Sequence, residues 1–133
     1  MGKILFICNY NLVRSQIAEV LSKKTFPDFE VSSSGLKSLD SAYAELTLKL
    51  VTDCLEKSGH SFPMIRSKMV CDTDIDSADY IISFTQEFVC QNKKIIYLDV
   101  PDVMKTNPKR LPETVMMIEQ KLIEIKKSTE FDL

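Results

Sequence analysis

The stretch Lys3-Ile4-Leu5-Phe6-Ile7-Cys8-Asn9-Tyr10-Asn11-Leu12-Val13-Arg14-Ser15-Gln16-Ile17-Ala18-Glu19 constrains the fold of this chain more than any other. Ile4 to Ile7 is an unbroken apolar run, as expected of a strand covered on both faces, and such strands belong to parallel sheets flanked by helices. A tight polar loop follows, and beyond Arg14 the spacing of Ile17, Ala18 and Leu21 is that of a helix with one buried face. A strand, a loop and the N-terminus of a helix together build an anion site.

The chemistry needs this spacing. Five residues between Cys8 and Arg14, namely Asn9, Tyr10, Asn11, Leu12 and Val13, suffice to curl around a tetrahedral oxyanion with backbone N–H groups pointing inward. The following helix adds unpaired donors and the positive end of its dipole. Arg14 can grip two oxygens with its planar fork, which a lysine does less well. Cys8 lies at the base of the cradle, where positive surroundings favour the thiolate, the nucleophilic form of the residue. Ser15 is placed to donate a hydrogen bond to that sulfur, and Asn11 tolerates a left-handed backbone while its side chain pins the loop. The plain alternative is that Cys8 is a small buried hydrophobe ending an apolar strand. The strand before, the helix after, the serine beside the arginine and the asparagine inside the loop favour the anion site.

Ile4 to Glu19 resembles the signature of the low-molecular-weight protein tyrosine phosphatases: an apolar strand, Cys, a loop with a central Asn, Arg, Ser and a helix carrying Ile-Ala-Glu. The resemblance extends to Val31-Ser32-Ser33-Ser34-Gly35, to Asp74 through Phe84, and to Leu98-Asp99-Val100-Pro101-Asp102. It implies a phosphatase in which Cys8 attacks phosphorus, Arg14 and residues Asn9 to Ser15 bind the phosphate, and Asp102 is the general acid. Three positions depart from the pattern. Tyr10 stands where the family usually has Gly, Val13 where a second Cys is common, and Asp102 lacks the following Pro and aromatic residue. Asp99, on the same strand end, is the competing acid.

Single-domain size follows from 133 residues, and 44% hydrophobic with 27% charged residues is ordinary for a globular chain. A net charge of −2 and only isolated lysine pairs argue against a nucleic-acid binder. Ile4 to Ile7 is too short for a signal peptide, Phe6 does not suit a myristoylation signal, and no apolar run reaches membrane-spanning length, so a cytoplasmic location and no membrane partner are expected. Cys8, Cys54, Cys71 and Cys90 form no Cys-x-x-Cys, and His60, in a turn after Gly59, is the only histidine. Neither a zinc site nor any cofactor is therefore expected.

Apolar runs alternating with amphipathic stretches predict strands at residues 3–7, 30–33, 79–84 and 94–99, with Ser34-Gly35 as a turn. Helices are predicted from Ser15 to about Lys24, Ala42 to Ser58, and Glu113 to Lys127, with short ones near Thr73 to Ser77 and from Thr85 to about Gln91. In the second helix Leu46, Leu50, Cys54 and either Leu55 or Val51 form the inner face. In the last helix Val115, Ile118, Leu122 and Ile125 do, with Met116 and Met117 as packing residues. Arg66 and Lys68 lie in the least legible stretch, and Ser128 to Leu133 reads as a tail. The expected fold is an α/β three-layer sandwich, a four-stranded parallel β-sheet flanked by helices, phosphatase I-like by resemblance, in one domain over residues 1–133. Ligands of such sheets bind beyond the carboxyl ends of the strands, where Cys8 and Asp102 can meet.

The leading functional expectation is hydrolysis of a phosphomonoester, either a phosphorylated protein or a small aryl phosphate, without metal. Two rivals are weighed. Arsenate reduction would need two further cysteines seven apart, and Ser83 stands seven before Cys90. A non-catalytic module that binds phosphate or sulfate oxyanions would need only the cradle.

Overall fold

A computed structural model describes residues 2–38, 41–60, 67–105 and 107–128. Four strands, β1 (Lys3–Cys8), β2 (Glu30–Gly35), β3 (Tyr80–Ser83) and β4 (Ile95–Tyr97), form one sheet in the order β2-β1-β3-β4, and every pair is parallel. The continuous apolar run of β1 has the expected cause. Ile4, Phe6 and Cys8 enter one core, while Leu5 and Ile7 enter a second on the opposite face. Alternation with a period of two thus buries every residue of the strand beyond Lys3.

Helices α1 (Arg14–Thr25), α2 (Ser41–Lys57) and α4 (Leu111–Lys127) contribute to the first and larger core, with Ile17, Leu21, Val51, Leu55, Ile118 and Leu122 almost fully buried. The second core is closed by Ala78, Phe88 and the partly buried Ile75 of the short helix α3 (Asp72–Ser77). This is the three-layer α/β sandwich expected from the sequence.

Several local expectations are corrected. In α2 the inner face is Thr47, Leu48, Val51 and Leu55, with Cys54 only half-buried, whereas Leu46 and Leu50 face solvent. The segment Leu46-Thr47-Leu48-Lys49-Leu50-Val51 is apolar on two adjacent helical faces, and only docking decides which is buried. Met116 and Met117 of α4 are exposed, because Leu111, Thr114, Val115, Ile118, Leu122 and Ile125 already fill the inner stripe. Helix α4 begins at Leu111, with Pro112 in its first turn, where its missing N–H costs nothing. No helix forms after Thr85: the Ser83 and Thr85 hydroxyls accept from the N–H groups of Thr85 and Glu87, which satisfies the backbone locally and favours a turn. Strand β2 runs through Ser34 and Gly35, because both pair with β1. His60 is half-buried, its N–H bonded to the Leu55 carbonyl after Gly59 turns the chain at φ 87°. Arg66 and residues 129–133 lie outside the described residues. No described helix is long and apolar enough to cross a membrane.

Candidate active site

Strand β1 ends at Cys8 between β2 on one side and β3 on the other. Because the chain leaves β1 toward β2 and later returns to the opposite flank, a crevice opens beyond the carboxyl ends of β1 and β3. The loop Asn9 to Val13 occupies it. The Asn11 N–H points at Cys8 Sγ at 3.2 Å, and Ser15 Oγ lies 2.9 Å from the same sulfur. Val13, the residue before α1, offers no side-chain cap, so the first N–H groups of the helix remain available to a bound anion.

The loop is held in shape chiefly by the Asn11 side chain, with Gln16 Nε2 donating to the Asn11 carbonyl at 3.0 Å. Asn11 has φ 54°, a left-handed conformation that asparagine tolerates better than most residues, and it is fully buried. Its Nδ2 donates to Ser15 Oγ at 2.8 Å and to Ser33 Oγ at 2.9 Å, while its Oδ1 accepts from the Lys68 N–H at 3.0 Å. Ser33 in turn donates to Glu19 Oε1 at 2.7 Å. With Asn11 Nδ2 donating to Ser15 Oγ, the serine's own proton is free to go to a Cys8 thiolate. A chain of buried hydrogen bonds therefore runs from Glu19 through Ser33, Asn11 and Ser15 to the sulfur, joining α1, β2 and the loop.

Gly35 supplies the remaining constraint. A Cβ built there would stand 2.7 Å from both Tyr10 C and Asn11 N, which are backbone atoms that cannot swing aside. The same residue donates to the Lys68 carbonyl and accepts from the Val70 N–H, while the N–H groups of Leu36 and Lys37 bond to the Asn9 carbonyl. Gly35 is thus required by close backbone approach. Gly35→Ala is expected to lower unfolding stability by about 1–3 kcal/mol, as overpacking of a tight contact does, read as a reduced urea midpoint at unchanged slope.

Arg14 is nearly buried, and its Nη1 donates at 3.0 Å to both the Phe84 carbonyl, just beyond β3, and the Val100 carbonyl, beyond β4. This anchoring uses Nη1 alone. It also ties the arginine to the segment Val100-Pro101-Asp102. Asp102 is half-buried, and its Oδ1 accepts from the Met104 N–H at 3.2 Å, at the start of the single helical turn Val103–Lys105. Cys8, Asn9, Tyr10, Leu12, Val13, Arg14 and Asp102 all line one cavity of about 340 Å³, a volume suited to a small organic ligand. Met104, Tyr43 and Thr47 complete its wall. Asp99 is exposed and does not line the cavity.

The description "Low molecular weight phosphotyrosine protein phosphatase" belongs to a family whose profile matches residues 3–131. The chain belongs to this family. No curated protein sequence matches it. Among solved structures it is similar to a low molecular weight protein tyrosine phosphatase of Streptococcus pyogenes, with 20% identity and TM-score 0.79 over 99% of this chain and 95% of that one. Wzb of Vibrio vulnificus in complex with benzylphosphonate is similar at 17% identity and TM-score 0.77, covering 95% and 97% of the two chains. A thioredoxin-dependent arsenate reductase of Corynebacterium glutamicum is similar at 26% identity and TM-score 0.71, over 96% of this chain and 61% of that one.

In this low-molecular-weight phosphatase, residues Asn9 to Ser15 run from Cys8 into α1, and Asp102 reaches the same cavity from beyond β4, at the same carboxyl edge of the sheet. Two contributions were not read from the sequence. The Lys68 backbone reaches Asn11 and Gly35 from the stretch that showed no periodicity, and Tyr43 and Thr47 enter the cavity wall from α2. A backbone contact leaves no side-chain signal. Tyr43 and Thr47 carry no local signal of a cavity wall, because only the docking of α2 brings them to the loop.

All four cysteines are free. Cys71 is exposed, whereas burial pushes the thiol of half-buried Cys54 above its ordinary range, an effect that nearby Lys57 opposes. A raised value leaves less thiolate at mildly alkaline pH, so iodoacetamide should label Cys71 several-fold faster than Cys54, read by peptide mass spectrometry over a time course.

Proposed function

We propose that the chain hydrolyses aryl phosphomonoesters, protein phosphotyrosine foremost, through a cysteinyl-phosphate intermediate. One observation carries the reading: Asp102, nearly ninety residues on in the chain, lines the same cavity as Cys8 and Arg14. In the first step Cys8 Sγ attacks phosphorus, the phosphorus–oxygen bond to the aryl group breaks, and Asp102 passes its proton to the departing oxygen. In the second step water attacks phosphorus, the sulfur–phosphorus bond breaks, and Asp102 takes the proton of the water. Throughout, the loop amides and the free edge of the Arg14 guanidinium hold the equatorial oxygens, whose charge grows in each transition state.

Further features support an aryl substrate and hydrolysis. The cavity wall includes Tyr10, Tyr43, Leu12 and Met104, which suit the faces of an aromatic ring. The related Wzb is described with benzylphosphonate, an aromatic ring on a tetrahedral oxyanion. The Ser83 hydroxyl, seven residues before Cys90, is buried and donates to the Thr85 carbonyl, and a hydroxyl carries no electrons in a thiol relay. The deciding experiment is hydrolysis of 4-nitrophenyl phosphate with a reductant and a chelator present. Turnover is the expected result. Phosphate binding that depends on Arg14, without turnover, would replace the enzyme by an oxyanion-binding module.

A further inference from the structure

Resting on that functional reading, we infer that the outer face of α2 next to the cavity is a docking ridge for apolar side chains flanking the phosphotyrosine of a protein substrate. Tyr43, Leu46 and Leu50 follow one another at helical spacings of three and four and are 48%, 66% and 49% exposed. Exposed leucines are common singly, but three large apolar side chains in one row make a patch, and patches of this kind mark binding surfaces.

The row is continuous with the site. Tyr43 lines the cavity that holds Cys8 and Arg14, and from there Leu46 and Leu50 lead away along the helix. With the phosphate of a substrate in the loop, the half-exposed Tyr43 offers the residues beside its phosphotyrosine a path from the cavity onto the helix surface. From Tyr43 to Leu50 the helix rises about 10 Å, a distance that about three residues of an extended peptide cover. In an extended segment alternate side chains share a face, so two flanking residues can lie on Leu46 and Leu50 together. Apolar side chains there would gain by leaving water, whereas polar ones would not.

The test compares native protein with the double variant Leu46→Ser, Leu50→Ser, which leaves every cavity-lining residue in place. Three substrates are used: 4-nitrophenyl phosphate, a phosphotyrosine peptide with leucines at three positions on either side, and the same peptide with serines there. The native protein is expected to favour the leucine peptide in kcat/KM by about 10-fold. The variant should lose that preference while turning over 4-nitrophenyl phosphate and the serine peptide as the native protein does. Equal values for the two peptides in the native protein, or a preference that survives in the variant, would overturn the ridge while leaving the phosphatase standing. So would concentration-dependent self-association of the native protein that the variant abolishes, since the ridge would then be the seat of a second copy. Loss of turnover on all three native reactions would instead overturn the phosphatase reading, and the ridge with it.

Discussion

Replacement of Cys8 by serine should reduce hydrolysis of 4-nitrophenyl phosphate by at least about 10⁴-fold, the scale of loss on removing an enzymatic nucleophile. The substitution changes one atom, yet two features of the site make it severe. The Asn11 N–H donates to the sulfur and the Ser15 hydroxyl lies within hydrogen-bond distance of it, an arrangement that suits an electron-rich atom. Neither can remove a proton from a serine hydroxyl, so the replacement is left without the base that serine nucleophiles require. Binding follows a different course. Arg14 and the loop amides are untouched, so inorganic phosphate should still bind within a few-fold of native affinity, measured by calorimetry. A variant that kept more than a small fraction of native turnover would show that the sulfur is not the nucleophile.

The second large effect is expected for Asp102→Asn. Removal of a positioned acid commonly costs about 10²- to 10⁴-fold, and turnover of phenyl phosphate should fall within that span. Asparagine keeps the shape and the contact from the Met104 N–H, so the change removes the proton and little else. The loss should shrink with 2,4-dinitrophenyl phosphate, whose leaving oxygen carries its charge without help. Asp99→Asn provides the control. Asp99 lies on the surface outside the cavity and is expected to matter little. If Asp99→Asn were the crippling change, the acid would have to be reassigned.

The absent Pro and aromatic residue after Asp102 raised the question of what holds this acid in place. Around it, Val100 bonds to Arg14 through its carbonyl, Pro101 restricts the next backbone torsion, and Met104 donates to the carboxyl group. Arg14 and Asp102 are thus linked through the carbonyl of Val100, two residues before the carboxylate. Tyr43, entering from α2, supplies an aromatic face to the cavity.

How much was legible from the amino-acid order alone follows from the range of each interaction. Strand β1, the loop after it and α1 were readable because their signals are local: an unbroken apolar run, a Cys and an Arg at a fixed spacing, and a helical repeat of buried residues. The inner face of α4 was readable for the same reason, since its apolar positions form a single stripe. Helix α2 was not, because it carries apolar residues on two adjacent faces and its partner selects between them. Gly35 beside the backbone of Tyr10 and Asn11, the Lys68 N–H on Asn11, and the Phe84 and Val100 carbonyls on Arg14 are contacts between segments tens of residues apart. By itself the sequence determined that the chain builds a parallel sheet and that a Cys and an Arg bracket the loop beyond its first strand. Only the tertiary structure decided what holds the loop in shape, what brings Asp102 and Cys8 to one cavity, and which face of α2 stays in water, because these depend on packing geometry that no local periodicity encodes.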